Sequence, residues 1–390
     1  MSRLVILIEQ LIPNGVEYTS IGQLIKRVKE KGRSSEDVST VYSVSNIQGL
    51  VNAEDFRDHT IHSEDTSNYT IIRKGMFAYN PSRLNIGSIA YLKTEMAGLV
   101  SPMYIVFKID EKRVNKKFLF AFIKSSLCRN KINSLIEVGA RFRFNFERWD
   151  LINIPIPPLE IQAEIVRILD TFTELTAELT TELTTRKKQY NYYRDQLLSF
   201  EEGEVKWRPL GRLADNLDSM RKPITSGLRE PGEIPYYGAS GIVDYVKDYI
   251  FDGDFLLVSE DGANLVARNT PIAFSICGKT WVNNHAHVLK FKTYAERKYV
   301  EYYLNSIDLT PYISGAAQPK LNQKNLNGIS IPNPSPEEKE RIVAVLDKFD
   351  TLTNSISEGL PREIALRQQQ YEYYRDLLLS FPKTDSEVAD

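Results

Sequence analysis

A twelve-residue segment occurs twice in this chain, and it constrains the fold more than any other feature. Residues 189–200 read QYNYYRDQLLSF and residues 370–381 read QYEYYRDLLLSF, with ten of the twelve positions identical. Upstream, IVRILDTFTELT at 165–176 matches IVAVLDKFDTLT at 342–353 at seven of twelve positions. Similarity at a long, fixed period indicates that one structural plan is used twice. We therefore expect a pseudo-twofold internal repeat.

Both repeated segments read as long helices. Pro157 and Pro158 precede the first and Pro334 and Pro336 accompany the start of the second, as proline does at helix starts. Gly359-Leu360-Pro361 should kink or restart the second helix. Apolar residues recur at steps of three, four or seven, which predicts an antiparallel coiled coil. The packing residues are Phe172, Leu175, Leu179, Leu183, Tyr190, Tyr193 and Leu197 in the first helix, and Phe349, Leu352, Ile356, Tyr371, Tyr374 and Leu378 in the second.

The first helix contains a near-copy of four residues, TAEL at 176–179 followed by TTEL at 180–183. Each block is about one turn of α-helix. The offset between the two helices rises from 177 residues in the upstream match to 181 in the twelve-residue segment, so the second copy carries four extra residues. Two interpretations are open: compositional drift on an exposed helix, or a helix whose length matters.

The regions outside the helices are dissimilar in sequence and mix strands with short helices. Strands are predicted at YSVSNIQGLV, MFAYNP and SPMYIVFKI in the first region and at IPYYGASGIVDYV, DFLLVSE, PIAFSI and HVLKF in the second; residues 117–135 and 296–307 read as helices. This pattern predicts an α+β fold in which two long helices separate two α/β domains. The expected divisions are an N-terminal segment with the first domain at 1–152, a helix at 153–200, the second domain at 201–330, a helix at 331–381 and a tail at 382–390.

The N-terminal segment LIEQLIPNGVEY resembles QLLSFEEGEVKW, the segment that leaves the first long helix. This similarity suggests a cyclic plan, in which the first residues of the chain complete the structure that the second helix ends.

Composition excludes several classes of protein. No apolar run of about 18 residues is present, so no membrane span is predicted. Two cysteines, Cys128 and Cys277, fit a reducing cytoplasm, and the start of the chain lacks a signal-peptide pattern. We expect no metal site, because His285 and His287 alternate along a probable strand as structural histidines and the remaining histidines are His59 and His62.

Catalytic motifs are weak throughout. AFSICGKT at 273–280 matches a loose phosphate-binding loop, but its interior is strand-like and lacks the glycine-rich turn that opens a helix. YNPS at 79–82 and PNPS at 332–335 fall short of the tetrad with which amino-methyltransferases grip a flipped base. Because no complete constellation is visible, we expect no catalytic residues and no cofactor bound by this chain.

Binding chemistry recurs at the end of each variable region. GARFRFN at 139–145 aligns with AAQPKLN at 316–322 at the offset of 177. Arg and Lys can reach guanine edges or phosphates, and Gln and Asn can pair with adenine. A solvated loop before a helix is the alternative. The predicted DNA contacts here are Arg141, Arg143, Asn145, Gln318, Lys320 and Asn322.

Two further clusters are candidate DNA contacts, one in each region. For the tyrosines of the second cluster, a structural role is the alternative. The first cluster is Arg73, Lys74, Tyr79, Asn80 and Arg83, and the second is Tyr236, Tyr237, Ser240, Asn264 and Arg268.

The chain resembles the specificity subunits of type I restriction–modification systems. The resemblance covers essentially the whole chain, and it is most specific in RKKQYNYYRDQLLSF (186–200), PREIALRQQQYEYYRDLLLSF (361–381) and the TAEL-type repeat, which is similar to the type IC branch. It implies two target-recognition domains that each read one half of a split double-stranded DNA target. The helices would pack antiparallel and set the gap between the halves.

The resemblance also implies partners and their cofactors. Two methyltransferase subunits that use S-adenosylmethionine would bind this non-catalytic chain, and motor–nuclease subunits that use ATP with Mg²⁺ would join the complex. The setting would be cytoplasmic, with no membrane contact. The alternatives are a stand-alone DNA methyltransferase, which the missing motifs disfavour, and a coiled-coil scaffold with no DNA role.

Overall fold

The computed structural model describes residues 2–32, 38–46, 48–54, 65–135, 143–201, 203–262, 264–268, 270–315 and 318–383. The chain forms two compact units. The first consists of Met1–Glu178 with Ile364–Asp390, and the second of Leu179–Glu363. The boundaries between the units, at 178/179 and 363/364, lie inside helices and not at the domain ends expected from the sequence. The reason is that helix residues pack in the core of each unit. These residues include Ile161 and Ile165 in the first unit and Ile342 and Leu346 in the second.

The first unit begins with α1, and its strands form two four-stranded sheets, β4-β3-β8-β5 and β2-β9-β6-β7, and the pair β1-β10. Strands β3 and β8 are parallel, and the other pairs are antiparallel. The elements are α1 Ser2–Leu11, β1 Tyr18–Ser20, β2 Ile25–Val28, β3 Val41–Ser45, β4 Gly49–Asn52, β5 Thr70–Ile72, β6 Phe77–Tyr79, β7 Ile89–Tyr91, β8 Gly98–Val100, β9 Ile105–Ile109, α2 Lys116–Lys124, α3 Ser126–Ser134, β10 Asn153–Pro155 and the start of α4 Leu159–Leu198.

The second unit repeats this topology. Its sheets are β14-β13-β18-β15 and β12-β19-β16-β17 with the pair β11-β20, and β13 and β18 are its parallel pair. The elements are β11 Lys206–Pro209, β12 Asp215–Asn216, β13 Pro231–Gly238, β14 Gly241–Val246, β15 Phe251–Asp252, β16 Phe255–Ser259, α5 Asn264–Ala267, β17 Ala273–Ile276, β18 Lys279–Val282, β19 Ala286–Lys290, α6 Tyr294–Ser306, α7 Gln323–Gly328, β20 Ser330–Asn333, α8 Pro336–Asn354 and α9 Gly359–Leu378. The two regions therefore share a strand order that their sequences barely reveal, and the predicted α+β class is confirmed.

Local chemistry sets where the helices begin and end. The Ser335 side chain caps α8 by accepting a hydrogen bond from the backbone N–H of Glu338 at 3.3 Å. The predicted helix at 117–135 is divided at Ser125, whose hydroxyl oxygen accepts from the N–H of Cys128 and so starts α3. The predicted interruption of the second long helix is confirmed, since α8 ends at Asn354 and α9 begins at Gly359.

The apolar stripes pack within each unit. In the first, the rings of Phe172 in α4 and Tyr374 in α9 stack with centroids 5.4 Å apart. In the second, Tyr190 and Tyr193 of α4 contact Phe349 of α8 with centroids 6.3 and 5.7 Å apart. All but one of the other stripe positions are buried or half-buried. These are Leu175, Leu179, Leu183, Leu197, Leu352, Tyr371 and Leu378.

The exception is Ile356, for which the prediction of helix packing is wrong. Its side chain is 85% exposed, because it lies in the break at 355–358 and no helix holds it on the stripe.

The first unit joins the two ends of the chain. The N–H of Val16 donates to the carbonyl of Pro382 at 3.1 Å, and the Tyr18 hydroxyl donates to the carbonyl of Phe381 at 2.7 Å. Leu4 and Val16 share a core with Leu378, Leu379 and Phe381. The cyclic plan is thus confirmed, and Pro382 and Lys383 belong to the unit rather than to a tail.

Among the residues that the structure describes, no helix combines the length and the apolar character needed to cross a bilayer.

Candidate nucleic-acid interface

The aligned loops at the ends of the two variable regions are built alike. In the first unit the N–H of Phe144 donates to the carbonyl of Pro81 at 2.9 Å, and in the second the N–H of Leu321 donates to the carbonyl of Glu260 at 2.8 Å. Phe144 and Leu321 are buried, at the offset of 177 that the sequence predicts. Each loop therefore fixes one apolar residue in the core and directs its two polar neighbours away from it.

The polar neighbours differ in how they are held. Arg143 and Asn145 are exposed, and the Arg143 Nε–H donates to Asn145 Oδ1 at 3.3 Å. Lys320 Nζ lies 2.9 Å from Glu260 Oε1, while its side chain remains 51% exposed. Asn322 caps α7 by accepting from the N–H of Asn325 at 2.9 Å. Gln318 is exposed. Arg141 lies outside the described residues.

The first strand-end cluster divides into exposed cations and buried groups. Tyr79 is fully buried and its hydroxyl donates to the carbonyl of Phe144 at 3.2 Å; burial raises its pKa well above the usual range. Asn80 is 5% exposed, and its Oδ1 accepts from the N–H of Ser82 at 2.9 Å. Both side chains are committed to the core, so the prediction that they contact DNA does not fit their positions.

The cations of that cluster lie at the surface. Arg73 makes a two-point ion pair with Glu30, at 2.5 and 2.6 Å, and Lys74 pairs with Glu95. Arg83 is exposed and lines a cleft of about 320 Å³ with Tyr42, Tyr69 and Tyr104. A guanidinium in a cleft lined by aromatic residues is suited to contact with nucleotides, so Arg83 remains a candidate DNA contact.

Most of the second cluster has structural roles. Tyr236 is 1% exposed, its hydroxyl accepts from the N–H of Ile224 at 2.9 Å, and the Arg229 guanidinium lies 4.4 Å from its ring centre. Asn264 closes a loop through two hydrogen bonds with the backbone of Thr270, each 3.0 Å long. These intramolecular contacts account for the presence of Tyr236 and Asn264 at their positions without any contact to DNA.

Three members of the second cluster remain. Arg268 has a positive φ of 53° and donates from Nη2 to the carbonyl of Ile307 at 2.8 Å; burial lowers its pKa. The Arg268 side chain is therefore engaged with the backbone of Ile307, which is a structural role. Ser240 is exposed and Tyr237 is half-buried, so these two have surface to offer a ligand.

A buried charged network beneath the second loop was not predicted from the sequence. Its members are Asp218, Arg221, Glu260, His287 and Lys320. His287 is fully buried, and its Nδ1 lies 2.6 Å from Asp218 Oδ2. Arg221 Nη1 donates to Glu260 Oε2 at 2.6 Å, and Lys320 approaches the other oxygen of the same carboxylate.

Electrostatics explain why this network is a paired cluster. Burial alone would raise the pKa values of Asp218 and Glu260. The hydrogen bonds and charges of His287, Arg221 and Lys320 more than offset burial, so both carboxyls have a pKa below the ordinary range. Asp218, Glu260 and His287 have ligand atoms within 4.8 Å of one another, yet two cations already neutralise the carboxylates. We therefore interpret the group as an ion network.

The segment that resembles a phosphate-binding loop is a turn between strands of two different sheets, since β17 pairs with β16 and β18 pairs with β13 and β15. β17 ends at Ile276, Gly278 turns with a φ of 75°, and β18 begins at Lys279. No helix starts there to present backbone N–H groups to a phosphate.

The family assignment follows from these repeated units. Residues 13–186 and 203–366 match the Methylase_S family, described as the type I restriction modification DNA specificity domain. The chain belongs to this family. It is a specificity subunit, the non-catalytic class of the type I complex, with two target-recognition domains. Each match includes a variable region and much of the helix that follows it.

Relatives agree with the assignment. The specificity subunit of the type I restriction enzyme EcoR124I/EcoR124II from Escherichia coli is 38% identical over 314 residues, 73% of this chain and 76% of the relative. A putative type I specificity subunit from Haemophilus influenzae is 38% identical over 192 residues, 48% of this chain and 49% of its own length.

Solved structures confirm the fold of the specificity subunit. A chain from a study of complex assembly and conformational transition in the type I restriction–modification system superposes with a TM-score of 0.60 at 16% identity, covering 95% of this chain and 98% of that one. The type I specificity subunit of M. genitalium gives a TM-score of 0.55 at 15% identity, with coverage of 95% and 98%. At these identities the likeness concerns the fold alone.

Proposed function

We propose that each unit reads one half of a bipartite double-stranded DNA target, and that the two loops around Phe144 and Leu321 are part of each reading surface. The observation that carries this proposal is the same anchored loop at the same place in both units, with different polar residues beside the anchor. A shared frame with divergent side chains suits two readers of different words.

The reading residues that we retain are those with exposed or half-exposed side chains. Residues committed to the cores or to loop closure are assigned a supporting role instead. The proposed contacts are Arg73, Lys74, Arg83, Arg143, Asn145, Tyr237, Ser240, Gln318, Lys320 and Asn322.

We further propose that the repeated helices bind two methyltransferase subunits. Tyr192 and Tyr373 occupy the same position in the two copies and are 61% and 66% exposed. Each meets the next tyrosine edge-on, with ring centroids 5.4 Å apart in both copies. Packing inside the unit does not account for an exposed aromatic residue kept twice, whereas a partner that binds twice would.

Chemistry is assigned to the partners under this proposal. Methyltransferase subunits would use S-adenosylmethionine, and motor–nuclease subunits would use ATP with Mg²⁺, in the cytoplasm where the DNA lies. The specificity subunit contributes the sequence words and the gap between them.

The test is purification of the chain with its native partners, followed by mapping of methylated adenines in the native genome. We expect a methyltransferase to co-purify and the methylated motif to consist of two words with a fixed gap. A single contiguous motif, or methyl transfer from labelled S-adenosylmethionine by the purified chain alone, would overturn the proposal.

A further inference from the structure

His287 occupies an unusual position beneath the recognition loop of the second unit. It lies on β19, is fully buried, and has both ring nitrogens in short hydrogen bonds. Nδ1 lies 2.6 Å from Asp218 Oδ2, and Nε2 lies 2.6 Å from the carbonyl oxygen of Leu321. A carbonyl oxygen and an ionised carboxylate can only accept hydrogen bonds. Two acceptors require two N–H donors, so the geometry corresponds to the imidazolium form of the ring.

We propose that the protonated side chain of His287 is a positioning residue for DNA recognition by the second unit. Its Nε2–H holds the Leu321 carbonyl, which lies between Lys320 and Asn322, and so sets the direction of both side chains. The inference rests on the proposed function, because it concerns the loop through which that unit would read DNA.

The loop is held at further points by the same network. Leu321 N–H donates to the backbone carbonyl of Glu260, and Lys320 pairs with the carboxylate of that residue. Two residues of the unit thus hold the loop in place: Glu260, which follows β16, and His287, which lies on β19. Glu260 holds the Leu321 amide and His287 holds its carbonyl, which fixes the plane of the peptide groups on either side.

Charged groups face His287 from every element packed around it. Asp218 and Arg221 follow β12, Glu260 follows β16, and Lys320 comes from the loop itself. At the surface beside them, His285 Nδ1 lies 2.8 Å from Asp261 Oδ2, and His285 is half exposed. His285 and Asp261 therefore form a separate pair at the surface.

Loss of one proton from His287 removes one of its two hydrogen bonds. A neutral imidazole has a single N–H, so either the Leu321 carbonyl or the Asp218 carboxylate loses its donor. Both acceptors are buried, and an unpaired buried acceptor favours rearrangement toward water. Since the carbonyl belongs to an exposed loop, the loop is the part that can move. Recognition by the second unit should therefore weaken as pH rises.

The first unit provides an internal control. Its equivalent carbonyl, that of Phe144, accepts a hydrogen bond from the Tyr79 hydroxyl at 3.2 Å. Burial raises the pKa of that hydroxyl, so it remains a donor throughout the range in which histidine titrates. Recognition of the first half-site should accordingly not follow the protonation of a histidine.

The experiment uses the complex of this chain with its methyltransferase subunits. Binding is measured on the full target and on targets in which one half-site is scrambled, from about pH 6 to about pH 9. The ratio of affinities gives the discrimination at each half-site. We expect discrimination at the second half-site to fall about tenfold with rising pH, as expected for one lost contact, and discrimination at the first to stay constant.

Two variants separate this role from a structural one. His287→Gln offers the Leu321 carbonyl an amide N–H that does not titrate, so the pH dependence of the second half-site should disappear. His285→Gln, at the neighbouring exposed histidine, should retain it. If His287→Gln fails to fold, the ¹H–¹⁵N spectrum of the His287 ring in the parent decides: an imidazolium pattern near neutral pH is expected, and a neutral tautomer there overturns the inference.

The remaining outcomes distinguish the two proposals. If both half-sites contribute to binding but their discrimination changes together with pH, or neither changes, the positioning role of His287 is wrong and the proposed function stands. If scrambling either half-site has no effect at any pH, the proposed function is wrong and the inference fails with it.

Discussion

Removing one four-residue block, Thr180–Leu183, tests whether α4 sets the gap between the DNA half-sites. The helix is continuous from Leu159 to Leu198, and the two compact units divide between Glu178 and Leu179, one residue before the junction of the two blocks. The deletion shortens α4 by about 6 Å and removes about 400° of helical turn, a net rotation of about 40°. One base pair of B-DNA advances about 3.4 Å and rotates by about 35°.

Rotation is the stricter of the two constraints, because a reading surface turned away from its groove makes no base contacts. The net rotation corresponds to one base pair. The rise alone would correspond to nearly two, but a helix inclined to the DNA axis contributes only its projection. We therefore expect the deletion to retain both words and shorten the gap by one base pair, and a duplication of the block to lengthen it by one.

Folding should survive the deletion. Leu179 and Leu183 are both half-buried, so Leu179 takes the place of Leu183 on the stripe. The hydroxyls of Thr184 and Thr185 donate to carbonyls four residues earlier, at 3.0 Å each, and these bonds can re-form with the preceding turn. The chain returns to the first unit between Glu363 and Ile364, within α9 and beyond the non-helical break at 355–358, and the deletion does not touch that segment.

The assay is mapping of methylated adenines for complexes of the parent, the deletion and the duplication. A variant that carries Thr180→Ala and Thr181→Ala is the matched control, since it changes the block without changing its length, and its gap should equal that of the parent. If the deletion methylates efficiently with an unchanged gap, the repeat is compositional drift on a solvated helix and the reasoning is refuted.

Three further predictions concern the reading loops and the stability of the units. Arg143→Ala should weaken discrimination at one half-site and Lys320→Ala at the other, each by about 1–3 kcal/mol in binding assays with half-site variants; binding like the parent by both would remove the loops from the interface. Gly359→Ala should lower the free energy of unfolding, measured by urea titration, by more than about 1 kcal/mol. The φ of Gly359 is +73°, and a Cβ there would lie 2.3 Å from a backbone carbonyl oxygen. Gly227→Ala is the control, because a Cβ at that position meets nothing within 4 Å. Burial lowers the pKa of Lys124 to about 8 in the folded chain. Above that pH the unfolded chain binds more protons than the folded chain, so the free energy of unfolding should rise with pH from about 8 toward about 10. Lys124→Met should lose this rise, and an equal rise in both proteins would contradict the prediction.

Periodicity predicted the elements of this fold because the signals are local. The helical stripe, the break before Pro361 and the strands on either side of a turn such as that between Gly238 and Gly241 depend on neighbouring residues. The offset of 177 also located the two equivalent loops, since their anchors Phe144 and Leu321 keep the same backbone hydrogen bond. Local patterns of this kind persist in the sequence even after the surface has diverged.

Side-chain roles were harder to predict because they depend on distant partners. β6 is buried along its whole length, so the alternation that separates inner from outer residues gives no sign that Tyr79 faces the core. His287 meets Asp218 across 69 positions in sequence, and no spacing rule joins them. Ile356 had the correct spacing for a stripe, but the helix that would have carried it ends two residues earlier.

The two units also differ in how the end of the long helix connects to the first strand of the unit. In the second unit, α4 leads directly through Leu198 and Phe200 into β11, along one continuous chain. In the first unit the equivalent exit of α9 leads to Phe381 and Pro382, and Val16 and Tyr18 contact these residues through hydrogen bonds and a shared hydrophobic core. The covalent link of one unit is thus replaced by noncovalent contacts in the other. The first unit is therefore built from two separate stretches of the chain, whereas the second is one uninterrupted stretch, Leu179–Glu363.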